Sequence, residues 1–313
     1  FIKKRELVNY LKKISFLSLL FMAACFPKED AIEPIIRLNK SVSLDAGPYK
    51  NTVAFYSLDK AEVIAEASPL DWDFYIDEDV IRLNYFRSMR VALFNETWAK
   101  LEDTVGLQFR FLTYDNDLDL SQWELAENQI YVVDYGIDNA GNTMGLTSVK
   151  FERTPNGMKI WYNALGSDFE LVEEISSTSF YYNLREKKTL DLPTELEYDL
   201  AFGKYTDLVT VDNITEDYLI YGTIQSRTLA YAVNEAFADV KQDKFDVIRL
   251  MEKKDVIGWD WKNFNRLKNA YEIVDNRTYL VMSNAGYRFK LRFVNFYNTA
   301  GQSGHPTFEW ELL

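Results

Sequence analysis

The sequence predicts a mostly β fold made of two related antiparallel β modules, with one or two short helices. Aromatic residues make up 15% of the chain, with 20 Tyr and 21 Phe, and aromatic side chains favour strands. Apolar and polar residues alternate near the C-terminus, and the two halves of the chain resemble each other at an offset of 126 residues. Together these observations indicate a β fold with an internal repeat.

The C-terminal strands are the clearest. Apolar side chains alternate with charged ones through 288–297, which is the period of a strand with one buried and one solvated face. The stretch 278–282 precedes it across the turn Asn284-Ala-Gly286, where Asn and Gly tolerate positive φ. A second turn over 298–304 leads to an alternating strand in 306–313. We therefore expect the chain to end within a sheet.

Further strands are predicted upstream, with turn signals at 138–142 and 155–157 between them. The predicted strands are 53–57, 72–76, 109–114, 130–134, 146–151 and 159–163. Two segments look helical instead, 85–101 and 228–240. In the second of them, apolar residues recur at spacings of four, four and three, as on one face of a helix.

The first 24 residues have the pattern of a lipoprotein signal peptide. Lys and Arg residues precede an apolar run at Ile14–Ala24, which is shorter than the roughly 20 residues that span a bilayer. The run stops at Met22-Ala-Ala-Cys25, a lipobox, and we expect Cys25 to be lipidated. Residues 25–50 are predicted to be a tether. Its acidic start, 26–30, fits either a surface-export tag or a solvated linker.

The internal similarity divides the remaining chain into a first β module at 51–170 and a second at 171–313. Phe55-Tyr-Ser-Leu58 aligns with Tyr181-Tyr-Asn-Leu184, and the alignment continues without gaps to Ile76 and Phe202. Two alternatives stay open. The similarity could arise by chance among aromatic strands, or the two modules could share one continuous sheet.

Composition excludes several function classes. The net charge is −13, so the chain would repel the phosphates of nucleic acids. One Cys and one His rule out an internal disulfide and a Cys-based zinc site. The pairs Asp71/Asp73 and Glu197/Asp199 have a spacing that superficially resembles glycosidase carboxylates, but their recurrence at two strand starts indicates a structural role. We expect no enzymatic activity.

The sequence resembles the HmuY-type lipoproteins of Bacteroidota, closely over about 170–313 and loosely before it. The resemblance implies an antiparallel β fold and haem capture at the cell surface. The matching residues are the lipobox at Cys25, Glu197-Tyr-Asp-Leu-Ala-Phe202, Tyr205-Thr-Asp207, Tyr218-Leu-Ile-Tyr-Gly222, Ile257-Gly-Trp-Asp-Trp-Lys262, Tyr287-Arg-Phe-Lys-Leu-Arg-Phe-Val-Asn-Phe-Tyr-Asn298 and Gly304-His-Pro-Thr-Phe-Glu309.

The haem ligands implied by this resemblance are incomplete. Haem-binding members hold iron with two side-chain donors, but His305 is the only His here, and Asp207 stands where relatives more often have His. The candidate ligands are His305, Met144 and Met282. For each there is a plain structural alternative: a turn histidine bonded to backbone for His305, and apolar core packing for the two methionines.

The resemblance implies a membrane-anchored surface lipoprotein of the outer membrane that binds haem or a related porphyrin for uptake. Its partners would be the lipid bilayer, a haem-carrying protein and an outer-membrane transporter. The alternative is a surface interaction or uptake-accessory module that kept the fold and lost the haem ligands.

Overall fold

Antiparallel strands account for nearly all the regular structure of this protein. The computed structural model describes residues 39–111, 125–167, 171–211 and 213–313, all of which belong to one unit, Arg37–Leu313. The predicted mostly β fold with antiparallel sheets is confirmed.

The predicted signal peptide and Cys25 lie outside the described residues, as does most of the tether before Asn39. Within the described ranges, no helix is both long enough and apolar enough to cross a membrane.

The strands are numbered in chain order. They are β1 (Asn39–Ser43), β2 (Val53–Ser57), β3 (Glu62–Ala67), β4 (Phe74–Ile76), β5 (Ile81–Leu83), β6 (Arg90–Phe94), β7 (Arg110–Phe111), β8 (Ile130–Asp134), β9 (Leu146–Thr154), β10 (Gly157–Asn163), β11 (Leu171–Ile175), β12 (Phe180–Asn183), β13 (Lys188–Leu190), β14 (Leu200–Val211), β15 (Ile214–Gln225), β16 (Leu229–Asn234), β17 (Lys262–Asn265), β18 (Ala270–Ile273), β19 (Arg277–Met282), β20 (Arg288–Tyr297) and β21 (Ser303–Leu312). Single 3₁₀ turns lie at Pro48–Lys50, Trp98–Lys100, Gln242–Lys244 and Val247–Arg249.

The prediction of two helices is wrong. The segment 85–101 contains β6 and one 3₁₀ turn, and 228–240 begins with β16. Every residue of β16 pairs with β19, and these hydrogen bonds outweigh a weak local helix preference. Phe237 and Val240 lie beyond the strand and are buried. Their helical spacing therefore reflects a chain that turns back onto the core.

The two largest sheets have the same internal order. One runs β1-β21-β20-β19-β16 and the other runs β11-β10-β9-β8-β6-β7. In each sheet, a strand from the start of one half of the chain pairs with the last strand of the other half: β1 pairs with β21, and β11 pairs with β10. Each half therefore completes a sheet of the other.

The two four-stranded sheets also pair strands from opposite halves of the chain, an arrangement called here the strand exchange. Their orders are β15-β14-β2-β3 and β5-β4-β12-β13. Tyr56 of β2 lies opposite Leu200 of β14, and Tyr182 of β12 lies opposite Phe74 of β4. Tyr182 lies 126 residues after Tyr56, and Leu200 lies 126 residues after Phe74, so the two pairs are equivalent in the repeat. The division at residue 170 stays a prediction, but strands on either side of it pair with each other.

Two buried carboxylates make the exchange specific. Asp73 accepts a hydrogen bond from the backbone N–H of Leu184 at 2.8 Å, and Asp199 accepts one from that of Leu58 at 2.7 Å. Asp73 is 0% exposed and Asp199 is 2% exposed. Each carboxylate thus receives a bond from the other half of the chain.

Asp71 and Glu197, which precede these two carboxylates by two residues, have a more local role. Asp71 accepts from the N–H of Ser68 at 3.1 Å, and Glu197 accepts from that of Thr194 at 2.8 Å. Both contacts span three residues, so these carboxylates close equivalent turns before the two strands.

The larger apolar core is centred on four aromatic rings at repeat-related positions. Phe55 contacts Trp72, Tyr181 and Tyr198 at centroid distances of 6.3, 6.3 and 5.0 Å. Trp72 and Tyr181 meet edge to face at 5.7 Å. Such tilted and edge-on contacts add to the stabilisation from burial, so the halves are joined by packing as well as by strand pairing.

We expect the substitution Asp199→Ala to lower the free energy of unfolding by about 3 kcal/mol. It leaves the N–H groups of Leu58 and Asn284 without their acceptor, and each unsatisfied buried donor costs about 1–3 kcal/mol. Urea denaturation followed by tryptophan fluorescence measures this change. Asp191→Ala, at an exposed position, is the control and should change stability by less than about 0.5 kcal/mol. Equal stability of the two variants would contradict the assigned role of Asp199.

Candidate ligand-binding cleft

The described residues form a cleft of about 1090 Å³, slightly above the range of about 300–1,000 Å³ typical of ligand pockets. Loops 45–51 and 137–141 form part of its rim. Leu70 and residues 86–88 add to the wall from the first half of the chain, and residues of β14, β15, β17 and β18, with the ends of β20 and β21, line it from the second half. Both halves of the chain therefore contribute to it.

Aromatic side chains provide much of the apolar lining. They are Tyr49, Phe86, Tyr218, Tyr221, Tyr271 and Phe296. Phe296 lies 5.3 Å from the ring of Tyr271 and 5.7 Å from that of Tyr221, centroid to centroid. These flat surfaces suit a planar, largely apolar ligand.

His305 lies in this cleft. It belongs to β21, and its side chain is 21% exposed. Nδ1 lies 3.4 Å from a carboxylate oxygen of Asp45, and Nε2 lies 3.2 Å from the amide nitrogen of Asn298. The contacts fit the tautomer in which Nδ1 carries the proton and Nε2 accepts.

The nitrogen with the free electron pair is therefore Nε2. The amide of Asn298 also donates to the side-chain oxygen of Gln302 at 2.8 Å. Because the amide keeps this second acceptor, the imidazole can exchange its contact with Asn298 for a metal ion. Asp45 at Nδ1 supplies the orienting partner that metal-bound histidines commonly have.

Three lysines line the same cleft: Lys50, Lys204 and Lys262. The side chain of Lys50 lies against the backbone next to His305, since a Cβ on Gly304 would come within 2.8 Å of the Lys50 Cγ. Lys50 itself has a φ of 54° and Tyr49 a φ of 59°, in the left-handed region that is strained for side chains of this size.

Lys262 is the most buried of the three, at 1% exposure. Its Nζ donates to the backbone oxygen of Tyr221 and lies 4.3 Å from the ring centroid of Trp261. Burial, followed by the charge of Lys50, lowers the pKa of Lys262 to about 7 although Asp260 opposes the shift. Burial also lowers the pKa of Lys50, and burial with the charge of Lys50 lowers that of Lys204.

The family model described as HmuY protein matches residues 49–310. This chain belongs to the HmuY family. Among solved structures, the apo HmuY analog TFO of Tannerella forsythia is 11% identical, with a TM-score of 0.38 over 90% of this chain and 98% of that one. Apo PinO of Porphyromonas gingivitis is 9% identical, with a TM-score of 0.28 over 88% of this chain and 97% of that one. No curated protein matches the sequence.

Of the ligand candidates predicted for this HmuY-family chain, only His305 lines the cleft. Met144 packs partly buried against the larger core, and Met282 packs partly buried beside Leu280 in a smaller apolar cluster. Asp207 accepts a hydrogen bond from the indole of Trp259 at 2.7 Å. The cleft thus brings His305 together with lysines and aromatic residues but not with either methionine.

The lysines were missed by sequence reasoning. Their positions in sequence are far apart, and nothing in a sequence of this composition distinguishes them from surface lysines. The one available signal was the position of Lys262 directly after the apolar Trp261, which indicates a cation beside a buried aromatic side chain.

We expect the stability difference between the wild type and Lys262→Met to depend on pH. The pKa of Lys262 is lower in the folded state, so between pH 7 and about 10 the unfolded chain binds more protons at this site. Wild-type stability should therefore rise with pH relative to the variant, by up to about 1.4 kcal/mol per pH unit.

Urea unfolding at pH 7, 8, 9 and 10 measures this slope. The exposed Lys241→Met is the control and should parallel the wild type. A pH-independent difference between the wild type and Lys262→Met would show that Lys262 keeps its ordinary pKa.

Proposed function

We propose that this HmuY-family protein binds haem or a related porphyrin in the cleft, with His305 as the axial ligand. The observation that supports this most directly is the position of the chain's only histidine in the lining of this cleft. Imidazole nitrogen is a common donor to haem iron, and His305 Nε2 carries the available electron pair.

The remaining lining fits such a ligand. A porphyrin presents two apolar faces and an edge with acidic groups, and the cleft combines aromatic rings with lysines. Burial of the flat faces supplies most of the binding free energy. No methionine of the described residues lines the cleft, so a second axial ligand would come from a tyrosine hydroxyl such as that of Tyr218 or Tyr271, a donor type known for haem iron.

We infer that the protein acts as a non-enzymatic lipoprotein at the cell surface. Lipidation at Cys25 would attach it to the outer membrane through the tether, as the lipobox indicates. Membership of a haem-binding-type family supports a role in uptake, in which haem would pass from a haem-carrying protein through this chain to an outer-membrane transporter.

The proposal predicts a saturable shift of the Soret band when the chain from Phe26 onward, which keeps the whole unit Arg37–Leu313, is titrated with haemin. His305→Ala should weaken binding at least about tenfold, because one tenfold step corresponds to about 1.4 kcal/mol and an iron–nitrogen bond contributes more. The absorption bands of the reduced complex should also change.

Met144→Leu and Met282→Leu are the matched controls, and both should bind haemin as the wild type does. Loss of the shift in a methionine variant alone would name that methionine as the ligand and contradict His305. A wild-type spectrum indistinguishable from free haemin would overturn haem binding and favour the non-haem interaction module.

A further inference from the structure

The three lysines of the cleft, of which only Lys262 is fully buried, differ from the other buried cations of the described residues, including Arg87 in the same cleft. Arg87, Lys254 and Lys290 are each within 3.1 Å of a carboxylate oxygen. Lys50 and Lys204 form no ion pair within the described ranges, and neither does Lys262. In a chain with 48 acidic and 35 basic residues, this cleft therefore gathers three lysines that have no ion-pair partner among the described residues, and Lys262 alone is favoured in its charged form by a carboxylate, that of Asp260.

The three side chains also belong to one electrostatic group. Lys204 lies directly opposite Tyr221 across the β14–β15 pair, and the backbone oxygen of Tyr221 accepts from Lys262. The charge of Lys50 disfavours protonation of both Lys204 and Lys262. Mutual repulsion of these charges in a partly buried site destabilises the folded cleft.

A ligand with acidic groups would relieve this repulsion. Ammonium–carboxylate hydrogen bonds are stronger than neutral ones, and partial exclusion of water strengthens them further. Three cations exceed what a single carboxylate can neutralise. The carboxylates that line the cleft, Asp45 and Asp138, are engaged elsewhere: Asp45 lies beside His305, and Asp138 accepts from the residues of its own loop.

We propose that Lys50, Lys204 and Lys262 bind the acidic groups of a ligand with two or more carboxylates, and that the cleft selects its ligand by this acidic edge rather than by a metal ion. The identity of the ligand as a porphyrin rests on the proposed function. Recognition of the carboxylates does not rest on the proposed function, because it requires no iron and no ligation by His305.

The test compares haemin, metal-free protoporphyrin IX and the dimethyl ester of protoporphyrin IX, with binding followed by quenching of tryptophan fluorescence. We expect the metal-free diacid to bind, and the diester to bind at least tenfold more weakly. Lys50→Gln and Lys204→Gln should each weaken binding of the diacid about tenfold and leave that of the diester unchanged. The exposed Lys241→Gln is the control and should match the wild type. Equal affinity for diacid and diester would overturn the proposal.

A second measurement separates this proposal from haem binding. Citrate should raise the melting temperature of the wild type more than acetate does, and Lys204→Gln should abolish the difference. A citrate effect without haemin binding would retain the carboxylate site and refute the haem function. Haemin binding that depends on His305, with no difference between diacid and diester, would retain the haem function and refute the carboxylate site. If neither citrate nor any porphyrin binds, both proposals are overturned.

Discussion

The structure depends on two buried carboxylates that are satisfied from the opposite half of the chain. Asp73 requires the N–H of Leu184, and Asp199 requires the N–H of Leu58. A carboxylate removed from water without such donors would be strongly unfavourable. Arg87 pairs with Asp73, and Thr228 and Asn284 donate to Asp199, from the same half of the chain. The bond from the opposite half completes each site, and the strand pairs β2–β14 and β12–β4 bring its donor there.

This exchange explains where the cleft forms. Its wall is built from loops of the first half and from strands of the second, which places Lys50 beside Gly304 and His305. The interlocked strands supply a rigid support, whereas the strained turn at Tyr49 and Lys50 holds one lysine against the histidine strand.

Sequence reasoning predicted the fold better than the site. The alternation of apolar and charged residues from Arg288 to Phe293 located β20 and the turn before it, although Lys290 is buried and the register shifts after Phe293. The helix predicted at 228–240 was wrong because the local sequence pattern does not report the pairing of β16 with β19, which lie far apart in sequence. The repeat revealed that Asp73 and Asp199 were equivalent, but similarity alone does not show that equivalent strands are exchanged. His305 could be named because it is the only histidine, whereas Lys204 and Lys262 became visible only once the strands had brought them together.

The central claim is that haem binds in this cleft with its iron at His305. A crystal structure of the chain from Phe26 onward with haemin tests it most directly. The account predicts iron within bonding distance of the His305 Nε2, with the Asn298 amide displaced toward Gln302. Haem bound elsewhere, or in this cleft with its iron on another side chain, would contradict it.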